Sequence, residues 1–578
     1  MEKKLSGLYV AHIKREYKDK VYESHLLRRS YRDGKKVKQK TIANISPLPQ
    51  NLREIISKSL KGELFLPASQ AIEITRSRSH GHVAALNKMF DDLGMDKLIS
   101  VQPCRQRDLI KAMIISRIIK PQTKLATTRS WHDSTLPCLL NIEDANEDEL
   151  YEAMDWLVKR QPLIETKLAE RHLKKKPLAL YDVSSSYYEG SCCTLAAYGY
   201  NRDRKKGKRQ IVYGLMVDSE GRPICIQAYE GSKSDTKTVD EQIEKLKEQF
   251  GLEHFVFAGD RAMITRVRID KLKRIGGIDW ISALRSSSIK KLIESGDLQL
   301  SLFDEKNLVE ITSDDYPDER LIVCKNPYLA EERAKNRAQL LDKTEEALIL
   351  LAKRVAAERL KEEAKIGQSL GRIANKYKMA KHFNFSVANA RFSYSRNQEN
   401  INQEAALDGI YVIRTSVPQK DLSSEDALSS YKRLSLAERA FRTLKGMDLK
   451  IRPIHHRIDD RVRAHIFICM LSYYLEWHLR DAWKSLLFDD EHPGGHQDSS
   501  PVLPAIRSES AINKASTKKL PDGSFVHSFN TLISELAMVV LNDARVPAIA
   551  KIPPFSIITK PNPTQKKALG LVGLGIMT

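Results

Sequence analysis

Residues 6–44 alternate apolar and polar side chains through LYVAHIKREY, VYESHLLRRSY and VKQKTIANI, around a turn-like RDGKK. That period of two is the mark of half-buried strands and predicts a small antiparallel meander. Past the Pro-containing SPLPQN the period lengthens: HVAALNKMFDDLGMDKLI, RDLIKAMIISRII and LYEAMDWLVKRQPLIETKLAERHL carry apolar residues at helical spacing, so residues 80–174 read as all helix. At Pro177 it shortens again. LALYDVSSSYYEG reads as a strand, a basic turn NRDRKKGKRQ follows, and IVYGLMVDSEGRPICIQAYEG gives two more strands. TKTVDEQIEKLKEQFG is helical, FVFAGD a short buried strand, ITRVRIDKLKRIGG a helix and DWISALR a strand, which makes the order β-β-β-α-β-α-β.

Residues 290–400 interrupt that alternation with strand-like pieces, LVEIT, RLIVCKN and FNFSVANARFSYS, flanking one long charged helix expected from about 329 to 378. Leu341, Leu348 and Val355 fall seven apart with Leu351 between them, a continuous apolar seam whose default meaning is core packing and whose alternative is a dimer-forming coiled coil. GIYVIRTS and LSSYKRLSLAERAFRTLKG resume the strand–helix alternation, and EHPGGHQDSSP is a linker by composition. The expected division is a basic β-rich segment 1–75, a helical segment 76–175, an α/β core in two parts, 176–289 and 401–485, an α/β insertion 290–400, and a linker with C-terminal region 486–578.

A length of 578 residues suits several folded units, and 42% hydrophobic with 29% charged residues is an ordinary globular mix, so wholesale disorder is excluded. The charge is not ordinary: 95 Lys and Arg against 74 Asp and Glu leave +21, which favours a polyanionic partner, nucleic acid first. Seven scattered cysteines without a CxxC pair argue against zinc ribbons and disulfide frameworks. The early His12 and Lys14 break any signal-peptide pattern, and the longest apolar runs, HIFICMLSYYL and ALGLVGLGIMT, fall short of a membrane span, so a cytoplasmic protein without a membrane partner is expected.

Three acids stand out. Asp182 lies within the first strand of the core, and Asp260 ends FVFAGD, where strand ends of α/β sheets present groups to a cleft. Glu438 lies on the late helix; Tyr431, Glu438 and Lys445 are seven apart and share one face, with Arg442 beside them. Convergent carboxylates are hard oxygen ligands for Mg²⁺ or Mn²⁺, and two such ions suit in-line phosphoryl displacement. The plainer alternative is that Asp182 caps a turn, Asp260 caps a helix and Glu438 pairs with Arg442.

YDVSSSYYEG, the basic turn, QIVYGLMVDSEGRPI, GSKSDTKTV, FAGDRAMIT, YKRLSLAERAFRTLKG, RPIHHR and RAHIFICMLSYYL, in that order, resemble DDE transposases of bacterial insertion sequences: the IS-four superfamily, and within it the branch typified by IS-sixteen-thirty-four. The basic meander and IIKPQTKLATTRSW extend the resemblance over most of the chain. It implies an RNase H-like catalytic domain, interrupted by the α/β insertion and preceded by the β meander and the helical, DNA end-binding module. It also implies that Asp182, Asp260 and Glu438 are the DDE triad. The superfamily's Tyr-x2-Arg-x3-Glu-x6-Lys signature maps onto Tyr431, Glu438 and Lys445, with Leu434 where its Arg stands. No Trp occurs between Lys290 and Ser430, where better-known relatives stack one on a flipped base; Tyr394 or Phe392 offers a flat ring there, against ordinary core use.

The function this implies is a DNA transposase that binds terminal inverted repeats and carries out metal-dependent strand cleavage and strand transfer, with two Mg²⁺ ions, Mn²⁺ as a substitute, and a homodimer on paired ends. It would act in the bacterial cytoplasm, associated with the nucleoid when DNA-bound. Tyr431, Arg442, Lys445 and the hairpin cations Arg202, Arg204, Lys205, Lys206, Lys208 and Arg209 are the expected DNA contacts. Arg452, His455, His456 and His465 are open between phosphate contact and helix packing, and Arg105, Arg107, Lys111, Arg117, Lys120, Lys124 and Arg129 give the helical module its charge. A transposase-derived DNA-binding protein without activity, or a stand-alone nuclease, are the other readings.

Overall fold

The computed structural model describes residues 7–17, 20–63, 65, 72–175, 177–299, 303, 307–491, 502–503, 507–547 and 553–575. The linker expected at EHPGGHQDSSP lies almost wholly outside them. The chain forms two compact units, Met1–Ser77 with Leu541–Thr559, and Arg78–Val540 with Lys560–Thr578.

In the first unit, β1 (Leu8–Tyr17), β2 (Lys20–Asp33) and β3 (Lys36–Asn44) form an antiparallel sheet in that order, turning at Gly34 and Lys35. The register sets His12 opposite His25 and Lys14 opposite Glu23. A second sheet follows the order β16 (Phe555–Ile558), β15 (Val540–Arg545), β4 (Glu73–Ser79).

The second unit is built around the helix Asp459–Ala482, which is buried on nearly every face. The run HIFICMLSYYL is therefore the spine of a packed core: helices Arg105–Ile119 and Glu147–Val158 pack on it, together with the strand Pro223–Tyr229. Among the described residues no helix is long and apolar enough to cross a membrane.

The large sheet of this unit has eight strands: β5 (Leu178–Tyr187), β6 (Gln210–Val217), β7 (Pro223–Tyr229), β8 (Phe255–Gly259), β9 (Ile278–Ala283), β10 (Leu308–Ile311), β11 (Arg320–Lys325) and β14 (Ile410–Thr415). Their spatial order is β10-β11-β14-β9-β8-β5-β6-β7. β5, β6 and β7 are an antiparallel meander, β8 runs parallel to β5, and β9 parallel to β8. β6 is buried at every position, as its unbroken apolar run requires. Gly214 in β6 makes room for the buried Tyr181 ring; a Cβ there would stand 2.0 Å from the Tyr181 hydroxyl. Tyr181 is thus fixed one residue before Asp182.

Three expectations change. LVEIT and RLIVCKN do not stay within the interruption: as β10 and β11 they pair onto β14 and extend the large sheet, because their apolar faces complete a core with Leu284, Leu292 and Val412. The single long helix is two, Pro327–Ala356 and Glu363–Tyr377, parted by a turn with Glu358 at φ +56°. The intervening sequence favours helix, so tertiary packing overrides propensity: by folding back, the chain covers its own seam, with Leu351 and Val355 against Ile366 and Leu341 and Leu348 against Phe383. The hairpin β12 (Phe383–Ala388) and β13 (Arg391–Arg396) closes that core, and Phe392 and Tyr394 stack inside it with rings 6.0 Å apart. The third change concerns the late helix, which divides at Arg433 into Ser424–Lys432 and Leu434–Lys445, where Leu436 N–H donates to the Arg433 carbonyl at 2.8 Å in a tightened turn.

Candidate active site

The parallel pairing of β5 with β8 sets Tyr181 opposite Gly259, so Asp182, next on β5, and Asp260, the first residue past β8, are brought near enough for their charges to interact. Asp182 accepts the Val183 N–H on Oδ1 at 2.8 Å, and Asp260 the Arg261 N–H at 2.7 Å. The Leu434–Lys445 helix lies over β5 and β6 with Ala437, Ala440, Phe441 and Leu444 buried beneath it. Alanines at two of these positions bring the helix close, and Phe441 meets the Tyr213 ring at 5.7 Å. Glu438 sits beside that buried stripe on the exposed flank.

The three acids sense one another. Burial pushes the Asp182 carboxyl up to about 6, and the charges of Glu438 and Asp260 push in the same direction against the Val183 N–H and Arg202. Tyr431 is raised to about 12 by burial and by Asp260 and Glu438, with Arg261 opposing. The helix break therefore leaves Tyr431 within reach of the cluster although it no longer shares a helix with Glu438. Leu434 packs on the core, so the position of the signature's Arg is a hydrophobic contact here. The plainer readings of the acids fail: Glu438 forms no ion pair with Arg442 among the described residues, Asp182 lies mid-strand, and the helix after Asp260 is N-capped at Thr265.

Apart from Tyr431, the expected DNA contacts are cations, and they fall into two groups. Arg204, Lys205, Lys206 and Arg442 are exposed. The rest have partners in the chain: Arg202 with Asp235 at 2.6 Å, Lys208 with Glu189 at 2.9 Å, Arg209 with the Ser191 carbonyl at 3.3 Å, and Lys445 with Asp203 at 3.2 Å. Lys445 is held below its ordinary value by burial, against the pull of Asp203.

Asp203, which sequence reasoning passed over, is 1% exposed at its side chain and gathers Lys445, Arg452 and the Tyr187 N–H, the last at 3.0 Å. One acid inside the basic run NRDRKKGKR was the signal. Arg261 and Asp235 were missed as well; nothing in their local sequence marks them.

Three carboxylates of like charge, tempered by the Arg202 and Arg261 guanidiniums, fit a divalent cation with oxygen preference. They do not draw one ligand atom each to within 4.8 Å of one another; among the described residues only His12, Glu23 and His25 do, in the N-terminal sheet, where Lys14 also holds Glu23 at 2.5 Å.

The family profile of the transposase DDE domain matches residues 174–475, just over half of the chain, and that of the IS1634 family transposase N-terminal domain matches residues 10–64. No curated protein matches. A solved piggyBac transposase synaptic complex with hairpin DNA aligns over 79% of each chain at 8% identity, with a TM-score of 0.34, too low to carry an argument. The strands, the carboxylates and the two profiles lead to one conclusion: the chain belongs to the DDE transposases of the IS1634 branch, DNA-binding enzymes that cut and join strands with the help of divalent metal ions.

Proposed function

We propose that Asp182, Asp260 and Glu438 are the catalytic carboxylates of an RNase H-like core, and that the enzyme hydrolyses the strand at each terminal inverted repeat and joins the released 3′-hydroxyl to target DNA. The observation that carries this reading is the parallel register that sets Asp182 beside Asp260, with Glu438 close enough to raise Asp182. The region between β11 and β14 is read as an insertion into that core. The open spacing of the acids suits two ions, Mg²⁺ or Mn²⁺, better than a closed single-ion cage. Bound there, such ions supply activation of the attacking oxygen and stabilisation of the leaving one.

The chain's own groups do the rest. Arg202, steadied by Asp235, favours the ionised form of Asp182. Tyr431, its hydroxyl kept protonated, is a donor for a phosphate oxygen next to Asp260. Arg442, Arg204, Lys205 and Lys206 offer exposed charge to the strand, while Lys208 and Arg209 border it from the same hairpin. Lys445 acts through the Asp203 clamp. Pairing of two ends implies a homodimer on DNA, and the enzyme works in the compartment that holds the DNA, the bacterial cytoplasm.

The test is end cleavage with Mg²⁺, using a plasmid that carries the element's own ends, for wild type and for Asp182→Asn, Asp260→Asn and Glu438→Gln. All three variants are expected to be inactive; cutting by any one of them at the wild-type rate overturns the triad.

A further inference from the structure

Three cations of the helical module are paired with acids. Arg105 bonds Glu149 at 2.6 Å and Asp144 at 3.0 Å, Arg107 lies 3.8 Å from Asp96, and Lys111 reaches Asp91 at 2.6 Å and Asp96 at 3.1 Å. Arg117 and Lys124 differ. They are 8% and 5% exposed, and both line a cavity of about 680 Å³ whose opposite wall is residues 450–465. Among the described residues no Asp or Glu lines it. Lys124 makes no hydrogen bond or ion pair among the described residues.

The histidines of this wall do not supply a counter-charge. Arg117 Nη2 lies 3.4 Å from His465 Nδ1, and a guanidinium only donates, so Nδ1 accepts and the ring proton sits on Nε2, which donates to the Ile451 carbonyl at 3.0 Å. His456, 5.2 Å from that ring, is held down at about 3 by burial and by the Lys124 and Arg117 charges. Burial and Arg117 lower Lys124 to about 7. Arg457 and Lys450 add exposed charge at the mouth. Buried cations without a counter-charge cost stability, and that cost is offset when an anion enters.

The surroundings say which anion. Arg452 lines the same cavity and is clamped by Asp203, which also holds the Tyr187 N–H at the end of β5. The Glu189 N–H donates to the Ile454 carbonyl at 2.9 Å, so this wall is stitched to the strand that carries Asp182. From Asp182 to Tyr187 that strand runs roughly 17 Å, while DNA presents a charge about every 3.4 Å along each strand. The cavity is of nucleotide size rather than that of a lone ion.

We infer that this cavity is a phosphate subsite: it seats a backbone phosphate of the DNA bound at the carboxylate cluster, with Lys124 and Arg117 as its floor. The site as an anion pocket stands on its own lining; only the DNA source rests on the proposed triad.

The experiment uses the full chain, wild type against Lys124→Met and Lys124→Arg. Thermal unfolding and calorimetric titration with inorganic phosphate, at ionic strength matched with chloride, read the pocket; anisotropy of a labelled duplex across a salt series reads DNA. Lys124→Met is expected to raise the Tm of the protein in chloride, to weaken phosphate binding about tenfold or more, and to lower the salt slope of DNA binding by about one. Lys124→Arg is expected to restore most of the phosphate binding. Equal phosphate binding by wild type and Lys124→Met overturns the pocket. Loss of phosphate binding with an unchanged DNA salt slope overturns the DNA source. Either result is independent of whether Asp182→Asn abolishes cleavage, so failure of the triad and failure of the pocket are told apart.

Discussion

The second unit collects charge of one sign in two places and handles it differently. At the carboxylate cluster Asp182 lies half-buried in mid-strand, Asp260 just past a strand end and Glu438 on an exposed helix flank, with Arg202 and Arg261 nearby to temper them. At the Lys124 cavity the cations are buried deeper, and the groups around them are the neutral imidazoles of His456 and His465 and the Cys469 thiol. Asp203 lies between these extremes: an acid 1% exposed whose cations are supplied in full. The solvent exposure of Asp260 and Glu438 lets the fold hold them near the half-buried Asp182 without pairing them. The buried cavity has no such relief, so it is the more strongly poised of the two to take up an opposite charge.

The largest effect expected is at the acids. Asp182→Asn should lower Mg²⁺-dependent end nicking on the order of 10³-fold, since several kcal/mol of charge stabilisation is removed, while duplex affinity in anisotropy stays near wild type. Next is Asp203→Ala, which strands the two cations it holds; urea unfolding should show a loss of about 3–5 kcal/mol, against a negligible change for Lys206→Ala at the exposed hairpin. The comparison sharpens with Mg²⁺ itself. If the acids are a binding site and not surface charge, saturating Mg²⁺ should stabilise wild type by about 2–3 kcal/mol at a hundredfold excess over its Kd, and Glu438→Gln should lose most of that rise.

The last effect, and the one that sets the cavity apart, is the pH dependence of Lys124→Met. Lys124 titrates near 7 when folded against 10.5 ordinarily, so between these values the unfolded chain binds more protons and wild-type stability climbs with pH. The Met variant lacks that slope. Its advantage, about 1–4 kcal/mol, should be complete below pH 7 and fade as pH approaches 10.5; a gain that is flat with pH would show that Lys124 is not a desolvated cation.

Much of the architecture was legible along the chain. The switch from period two to helical spacing and back marked the meander, the helices and the β-β-β-α-β-α-β core, because apolar periodicity reports directly which face each element buries. That Asp182 lies in a strand, Asp260 just past one and Glu438 on a helix was legible too. The breaks at Glu358 and Arg433 were not: both stretches are good helix formers, and the turns come from packing against partners far away in sequence. Asp203 was hidden for the same reason, since Lys445 and Arg452 lie 242 and 249 residues from it.

By itself, then, the sequence determined the elements, the surplus of positive charge and the family, all written in local spacing and ordered motifs. Tertiary structure alone decided which acids meet, which of the helical module's cations find an acid, and that Arg117 and Lys124 find none. Interaction between charges depends on their separation in space and on the water excluded around them, and neither is encoded by distance along the chain.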